Sequence, residues 1–479
     1  MKRAHIVRWI THEWTLFILL VIGALTLRLY KLNNPIADWH SFRQADTASV
    51  TREFVKHGID LLHPTYHDLS NIQSGKDNPR GYRMVEFPLV NAVTAQLITT
   101  FGLQKEEDIT GRLVSVAYSM VTLIALYLLV RELSGRWTAF VTVVTFGILP
   151  YAVYYSRVIL PEPAALASIT TALAATVYWR KQRHPLLFGV AMASYAESLL
   201  VKPYGLFLLP LFAYIVWEKW RFSALKLWEM YVFPFSLVPL ALWRWWILKF
   251  PEGIPASDWL LNKENIRFSG AFFHWIFEVR IATLILGIGL LIPFVLGLVK
   301  KGKDHMTYGV WALCMLVYVS VFAGGNVQHD YYQVFLLPML CAMVGRGVVM
   351  LWELTPKVVS RFGMIMTFVG ITGFSLFVSW YIVRGYYNVN HWEIVEAGSA
   401  ANRILPKNAK VIAPYMGDTA FLYQTKRTGW PIGFEIEDKI TKGAQYYVSV
   451  NYDDETNTLM KKYKILEKTP RYVIIELKK

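Results

Sequence analysis

The acids and bases of this chain that could do chemistry sit in short polar runs between long apolar ones. Asp38, His40, Arg43 and Asp46 fall in ADWHSFRQADT, Glu86 in VEFPL, and Arg157 and Glu162 in YYSRVILPEP. Lys202 falls in VKPYG, and His329, Asp330 and Tyr331 fall in HDYYQ. An ionisable side chain at membrane depth is costly to bury, so each of these marks a candidate site. A carboxylate in such a place can take a proton from a hydroxyl, and Arg157 and Lys202 together would suit a phosphate.

Each residue also has a plainer reading. Asp38 precedes a helix start, where a carboxylate is favoured by the helix dipole. Asp46 could pair with Arg43, and Arg157 with Glu162 at the end of a span. Lys202 ends an apolar run with no neighbour in sequence to neutralise it, and it could snorkel to the interface. Glu86 stands beside Phe-Pro-Leu, where an acid is expensive unless it binds something. His57, His63 and His67 lie close in sequence, but Pro64 interrupts any helical pair and no cysteine joins them, so zinc is not expected there.

The elements that must position these groups follow from composition. The chain has 479 residues, of which 54% are hydrophobic and 17% charged; soluble domains carry about 25% charged residues. Apolar runs of spanning length recur between residues 14 and 383, each about as long as a bilayer core is thick. They predict a polytopic α-helical membrane protein of about eleven transmembrane helices. The expected spans are 14–30, 112–130, one ending near Tyr154, 163–178, 185–201, 204–217, 228–248, 281–299, 306–323, 331–350 and 362–383. Residues 87–101 are apolar but short and hold Asn91 and Gln96, so a helix lying in the interface is expected there.

The formal net charge is +15. Most of the excess lies in compact clusters between spans: Arg131 and Arg136; Arg180, Lys181 and Arg183; Lys219, Arg221 and Lys226; Lys300, Lys301 and Lys303; Lys357 and Arg361. The short intervening connections, around 155–162, 202–203 and 324–330, carry at most one basic residue each. With Lys2, Arg3 and Arg8 at the start, this alternation places the N-terminus in the cytoplasm and the C-terminus outside, in a multi-pass protein of the inner (plasma) membrane. All the candidate residues then share the outer side. The loop at 249–280 is balanced in charge, and WRWW at 243–246 reads as an aromatic belt at the interface. No P-loop, GxGxxG or basic-aromatic platform is present, which removes nucleotide and nucleic-acid readings. Cys314 and Cys341 lie inside spans, so no disulfide is expected. No small-residue cleavage site follows MKRAHIVRW, which reads as leading into a retained first helix.

Two parts lie outside the spans. The first outer loop, 31–111, is far longer than a connector needs. Within it, SFRQ at 41–44 reads as a capping box, with Ser41 as the cap and Gln44 returning to the backbone. With Gly58 as a stop, a helix over 42–57 follows. The tail, 390–479, has strand-like runs at 410–414, 446–450 and 471–477 around a short helix at 419–425, a small soluble α/β domain. The expected division is therefore a transmembrane domain over 1–389 and an extracytoplasmic domain over 390–479.

Taken in order, WHSFRQADTASVTREF at 39–54, EFPL at 86–89, YYSRVILPE at 154–162, KPYG at 202–205 and HDYYQVFLLP at 329–338 resemble bacterial GT-C glycosyltransferases. Within these, the chain is similar to the protein-mannosyltransferase and aminoarabinose-transferase-like group, glycosyltransferase family 39 and relatives, over about residues 10–350. The resemblance implies a GT-C-like transmembrane catalytic domain and a polyprenyl-phosphate sugar donor. It implies transfer outside the cytoplasm to an acceptor glycan, lipid or protein, and a catalytic acid in the first outer loop. By position that acid is Asp38. The usual Asp-Glu pair is absent, because Trp39 follows Asp38, so Asp46 stays a rival. Members of the family differ in metal dependence, which leaves a divalent metal open. Glu86, Glu162 and His329 would hold sugar or acceptor. Two other classes compete. A transporter or flippase of lipid-linked sugars would need charges or broken helices at mid-membrane in paired halves, and neither is evident. A scaffold displaying the outer domain would leave the loop 31–111 unexplained.

Overall fold

The computed structural model describes residues 13–358 and 360–478. Lys2, Arg3 and Arg8 of the basic N-terminus lie outside the described residues, as does the side chain of Lys357.

Each predicted span has a helical counterpart among the described residues. Seven are continuous: Glu13–Arg28, Glu107–Ser134, Glu162–Gln182, Pro185–Val201, His305–Val321, Leu337–Val358 and Arg361–Val383. The others are broken. The third divides at Pro150 into Arg136–Ile148 and Pro150–Tyr155, and the sixth opens with a 3₁₀ segment, Pro203–Leu208, before Leu209–Trp220. The seventh is a series of short pieces, Glu229–Val232, Phe233–Leu237 and Val238–Ile247. Prolines at 150, 203, 210, 234 and 239 account for these interruptions, since each removes a backbone donor. The eighth is a π-helical segment, His274–Ile285, followed by Leu291–Val299. By length and composition, three helices among the described residues are individually able to cross a membrane, or up to five if two pairs bent by 96° and 107° each count as one span. The expected interfacial element is a helix of 13 residues, Leu89–Phe101.

By packing, the chain divides into two compact units. The first comprises the residues up to Tyr30 with Ser115–Leu242 and Ser257–Gly385; the second comprises Lys31–Val114, Trp243–Ala256 and Tyr386–Lys479.

In the first unit, Leu337–Val358 packs against Leu291–Val299 at a crossing of two glycines. A Cβ on Gly347 would lie 1.7 Å from the Pro293 carbonyl oxygen, and one on Gly297 would lie 1.8 Å from that of Met343. Only glycine admits so close an approach of two helix backbones. Buried arginines tie neighbouring helices together. Arg28 donates to Ser119 Oγ at 2.9 Å and to the Gly147 carbonyl at 3.0 Å. Arg346 donates to the Lys300 carbonyl at 2.8 Å and pairs with Asp304 at 3.2 Å.

In the second unit, a mixed sheet has the order β2-β1-β3-β5-β4. Its strands are β1 (Lys410–Ile412), β2 (Thr428–Trp430), β3 (Tyr446–Ser449), β4 (Lys464–Lys468) and β5 (Val473–Glu476). β1 runs parallel to β2 and β3, while β5 is antiparallel to β3 and β4. The three predicted strands are β1, β3 and β5, and the predicted helix is Thr419–Gln424, N-capped by Asp418. Ile412, Trp430, Tyr447, Val473 and Ile475 form the core of this sheet, joined by Leu69 from the outer loop. The outer loop is stitched to the sheet through backbone bonds, Leu69 N–H to the Gly429 carbonyl at 2.8 Å and Gly429 N–H to the His67 carbonyl at 2.9 Å. WRWW also serves this unit. Trp243 packs on Phe87, Trp246 donates to the Leu62 carbonyl at 2.9 Å, and Trp245 is exposed beneath Lys249.

Candidate active site

Asp38 lies just ahead of the helix Ser41–His57. The capping box expected at 41–44 is not formed. His40 is the N-cap residue, in a left-handed conformation with φ 54°, and no side chain caps the helix. Gln44 turns forward instead, donating to Asp38 Oδ1 at 2.8 Å and to the Trp39 carbonyl at 3.0 Å. Arg112 faces the other oxygen of Asp38 at 3.5 Å, and both side chains are fully buried. Burial pushes the Asp38 carboxyl up, and the Arg112 guanidinium and the Gln44 amide pull it partly back. A buried carboxylate of raised affinity for protons, fixed by an amide on one oxygen and a cation near the other, is the setting a general base requires. Beside it, Trp39 stacks on Tyr386 with ring centroids 4.8 Å apart.

The pairing expected between Arg43 and Asp46 is replaced by two separate ones, because their partners come from other parts of the loop. Arg43 pairs with Glu86. Asp46 pairs with Arg83 at 3.1 Å, and accepts from Gln73 Nε2 at 3.1 Å and Thr419 Oγ1 at 2.7 Å. Both oxygens of Asp46 are therefore engaged, whereas the carboxylate of Glu86 is bound by a cation at the foot of the helix Leu89–Phe101. Further along the helix Ser41–His57, Arg52 donates to the Tyr423 carbonyl at 2.9 Å, with its guanidinium 3.7 Å from that ring.

The remaining candidates lie in the first unit. Arg157 and Glu162 do not pair with each other. Glu162, the first residue of its helix, pairs with Lys202 at 3.2 Å. Lys202 is 7% exposed, so it is a buried ion-pair member and does not snorkel. Arg157 is 0% exposed with its guanidinium over Tyr154 at 5.2 Å. Asp330 opens a 3₁₀ segment, Asp330–Leu336, and is 1% exposed. It accepts from the Tyr155 hydroxyl at 2.5 Å and has Arg280 at 3.7 Å, while Tyr151 donates to its backbone carbonyl at 2.5 Å. His329 stacks on Tyr331 at 5.2 Å and meets Trp259 edge-on at 5.4 Å. Lys202 lies 5.5 Å from the Tyr204 ring, whose neighbour is Tyr332 at 5.8 Å. Arg157 and Lys202 are thus each a buried cation lying against a tyrosine ring.

Sequence reasoning gave Gln44 a capping role only, and passed over Arg83, Arg112, Tyr155 and Arg280 as site residues. Arg112 had a usable signal, for it begins an apolar run alone, as Lys202 ends one. His57, His63 and His67 do not converge: His57 and His63 pair with Glu53 and Asp60 of their own segments, and His67 is buried with Nε2 near the Thr419 carbonyl at 3.2 Å. Among the described residues no three His, Cys, Asp or Glu side chains are grouped as a metal site requires.

Residues 87–246 match the family described as dolichyl-phosphate-mannose-protein mannosyltransferase. No curated protein sequence matches the chain significantly. In fold, the chain matches ArnT from Cupriavidus metallidurans bound to undecaprenyl phosphate, with TM-score 0.66 and 14% identity over 96% of this chain and 97% of that one. The apo state of ArnT matches with TM-score 0.64 over the same shares. The oligosaccharyltransferase of Archaeoglobus fulgidus tethered to an acceptor peptide matches with TM-score 0.55 and 10% identity, over 92% of this chain and 70% of that one. The chain thus shares the fold of ArnT and of the archaeal oligosaccharyltransferase, with a small C-terminal sheet, and one stretch of it is similar to the family that the motifs resemble.

Proposed function

We propose that this chain is a membrane glycosyltransferase. It moves a sugar from a polyprenyl-phosphate donor to an acceptor glycan, lipid or protein on the extracytoplasmic side of the inner (plasma) membrane. The observation that carries the reading is Asp38, a buried carboxylate of the first outer loop fixed by Gln44 and Arg112. It lies in a fold shared nearly end to end with a protein crystallised on undecaprenyl phosphate.

Asp38 takes the proton of the acceptor hydroxyl as that oxygen attacks the anomeric carbon. The bond from that carbon to the phosphate oxygen breaks on the opposite face, the configuration inverts, and polyprenyl phosphate leaves. The leaving phosphate gains charge, and Arg157 and Lys202 are the cations assigned to stabilise it. Glu162 is the ion-pair partner of Lys202 in these apolar surroundings. His40, Arg43, Glu86, His329, Asp330 and Tyr331 are assigned to binding sugar or acceptor. Asp46 is given a positioning role, because a close ion pair with Arg83 and two further donors, Gln73 and Thr419, hold it more fully than Gln44 and the more distant Arg112 hold Asp38.

The test is a transfer assay. Purified protein is offered a panel of polyprenyl-phosphate sugars with candidate acceptors, and released polyprenyl phosphate is measured. Release with at least one donor is expected. No release with any donor, together with movement of lipid-linked sugar across vesicle membranes, would replace transfer by transport.

A further inference from the structure

A cavity of about 340 Å³ lies among the helices Glu162–Gln182, Pro185–Val201 and Leu209–Trp220 and the broken run after Glu229. Its volume is within the range of small-ligand pockets, roughly 300–1,000 Å³. Trp179, Phe188, Phe212, Met230 and Phe233 make its walls almost wholly apolar. Glu229 interrupts them. It is 4% exposed, and its Oε1 accepts from Arg183 Nη2 at 2.6 Å. The Arg183 guanidinium in turn lies over Trp179 at 4.7 Å and Trp220 at 5.1 Å. The other oxygen, Oε2, is buried without a hydrogen-bond partner among the described residues. A carboxylate oxygen is expensive to leave so, because it has lost water and gained no donor. The cavity therefore calls for a molecule with an apolar body and an N–H or O–H at one end.

The surroundings narrow the choice. By the charge alternation this end of the helices faces the cytoplasm, the side opposite the proposed chemistry. The end of the wall-forming helix Leu209–Trp220 carries exposed Lys219 and Arg221, with Lys219 Nζ bonded to the Arg180 carbonyl. Basic rims between transmembrane helices on that side suit a lipid phosphate. A phosphate and an N–H donor joined to a chain describe one common lipid. We infer that the cavity holds an acyl chain of phosphatidylethanolamine, whose ammonium donates to Glu229 Oε2 and whose phosphate lies at the basic rim. A charge-assisted bond of this kind distinguishes ethanolamine from choline, which keeps the positive charge but has no N–H. The inference rests on the membrane-embedded fold and is independent of the transfer reaction.

The experiment uses the full chain, purified in detergent, stripped of lipid and examined by native mass spectrometry. Phosphatidylethanolamine, its N,N-dimethyl form, phosphatidylcholine and phosphatidylglycerol are added with identical acyl chains. Retention should fall as N–H groups are removed, with phosphatidylcholine held roughly tenfold or more weakly, the size of one charge-assisted bond lost. Glu229→Gln should erase the preference among heads. Ala213→Phe, a substitution at a partly open wall position, should reduce retention of every lipid by filling the space. Equal retention of the ethanolamine and choline lipids by the wild-type protein would overturn the inference, as would preference for phosphatidylglycerol or undiminished retention in Ala213→Phe.

Discussion

The two polar regions of this protein are built differently. In the outer loop, carboxylates are matched to arginines from elsewhere in the same unit: Asp38 to Arg112, Asp46 to Arg83, Glu86 to Arg43. The planar, permanently charged guanidinium holds each acid in one orientation. At the helix ends of the first unit, the same charges sit among aromatic rings, with Lys202 and Arg157 against tyrosines and Asp330 under Tyr151 and Tyr155. There the polar groups are few and the wall is apolar. The first arrangement suits proton handling, which needs fixed geometry. The second suits a lipid phosphate, which arrives with an apolar tail and meets a cation in a low-dielectric wall.

Substitutions that break this contrast should rank by size. Asp38→Asn should lower transfer by about 10²–10⁴-fold, the span of general-base catalysis, while the protein stays folded and inserted; full activity would remove Asp38 from the role. Lys202→Met should lower kcat by about 10²–10³-fold, as loss of one charge-stabilising donor does, with donors of poorer leaving groups suffering most. A uniform rise in KM with kcat unchanged would assign Lys202 to binding only. Asp46→Asn leaves Arg83 buried beside an uncharged partner and should cost stability by about 3–5 kcal/mol, read as a lowered midpoint of unfolding, with transfer per folded molecule within about tenfold of wild type. Loss of transfer at unchanged stability would make Asp46 the base.

The finest test separates fixing from catalysis. Burial already raises the proton affinity of Asp38, and Arg112 opposes that rise. A base must be deprotonated, so transfer should fall on acidification at a pH above the ordinary carboxylate range. Arg112→Met removes the opposing cation, so the acid limb should move further up, by about one pH unit or more. A loss of activity with no movement of the limb would make Arg112 a purely structural residue.

Much of the fold was legible because hydropathy is a local property. Every long apolar run became helix, and the strands around Val411, Val448 and Ile475 are short, β-branched and aromatic runs buried almost throughout. What escaped was set by contacts between distant segments. SFRQ has the local pattern of a capping box, but Asp38 offers Gln44 a buried acceptor, and that bond prevails over a return to the backbone. Arg83 and Thr419 claim Asp46 from 37 and 373 positions away, which no spacing rule detects. The pairing of Glu162 with Lys202 depends on two helices meeting, and the nearer Arg157 is the partner that sequence adjacency suggests. The ionisable residues themselves were found because the cost of burying them is visible in any sequence; their pairings were not.

The crossing of Gly297 and Gly347 bears on how a substrate finds room. Two backbones in direct apposition interlock like gear teeth, and the longer helix cannot slip along its axis without colliding with the carbonyls of Pro293 and Met343. Arg346, one residue away, bolts the same place to the Lys300 carbonyl. The HDYYQ turn is joined to the start of that helix, so it inherits the immobility. Under the proposed function, room for a sugar beside HDYYQ would then come from the rings of His329 and Tyr331, as side-chain motion over a stationary frame.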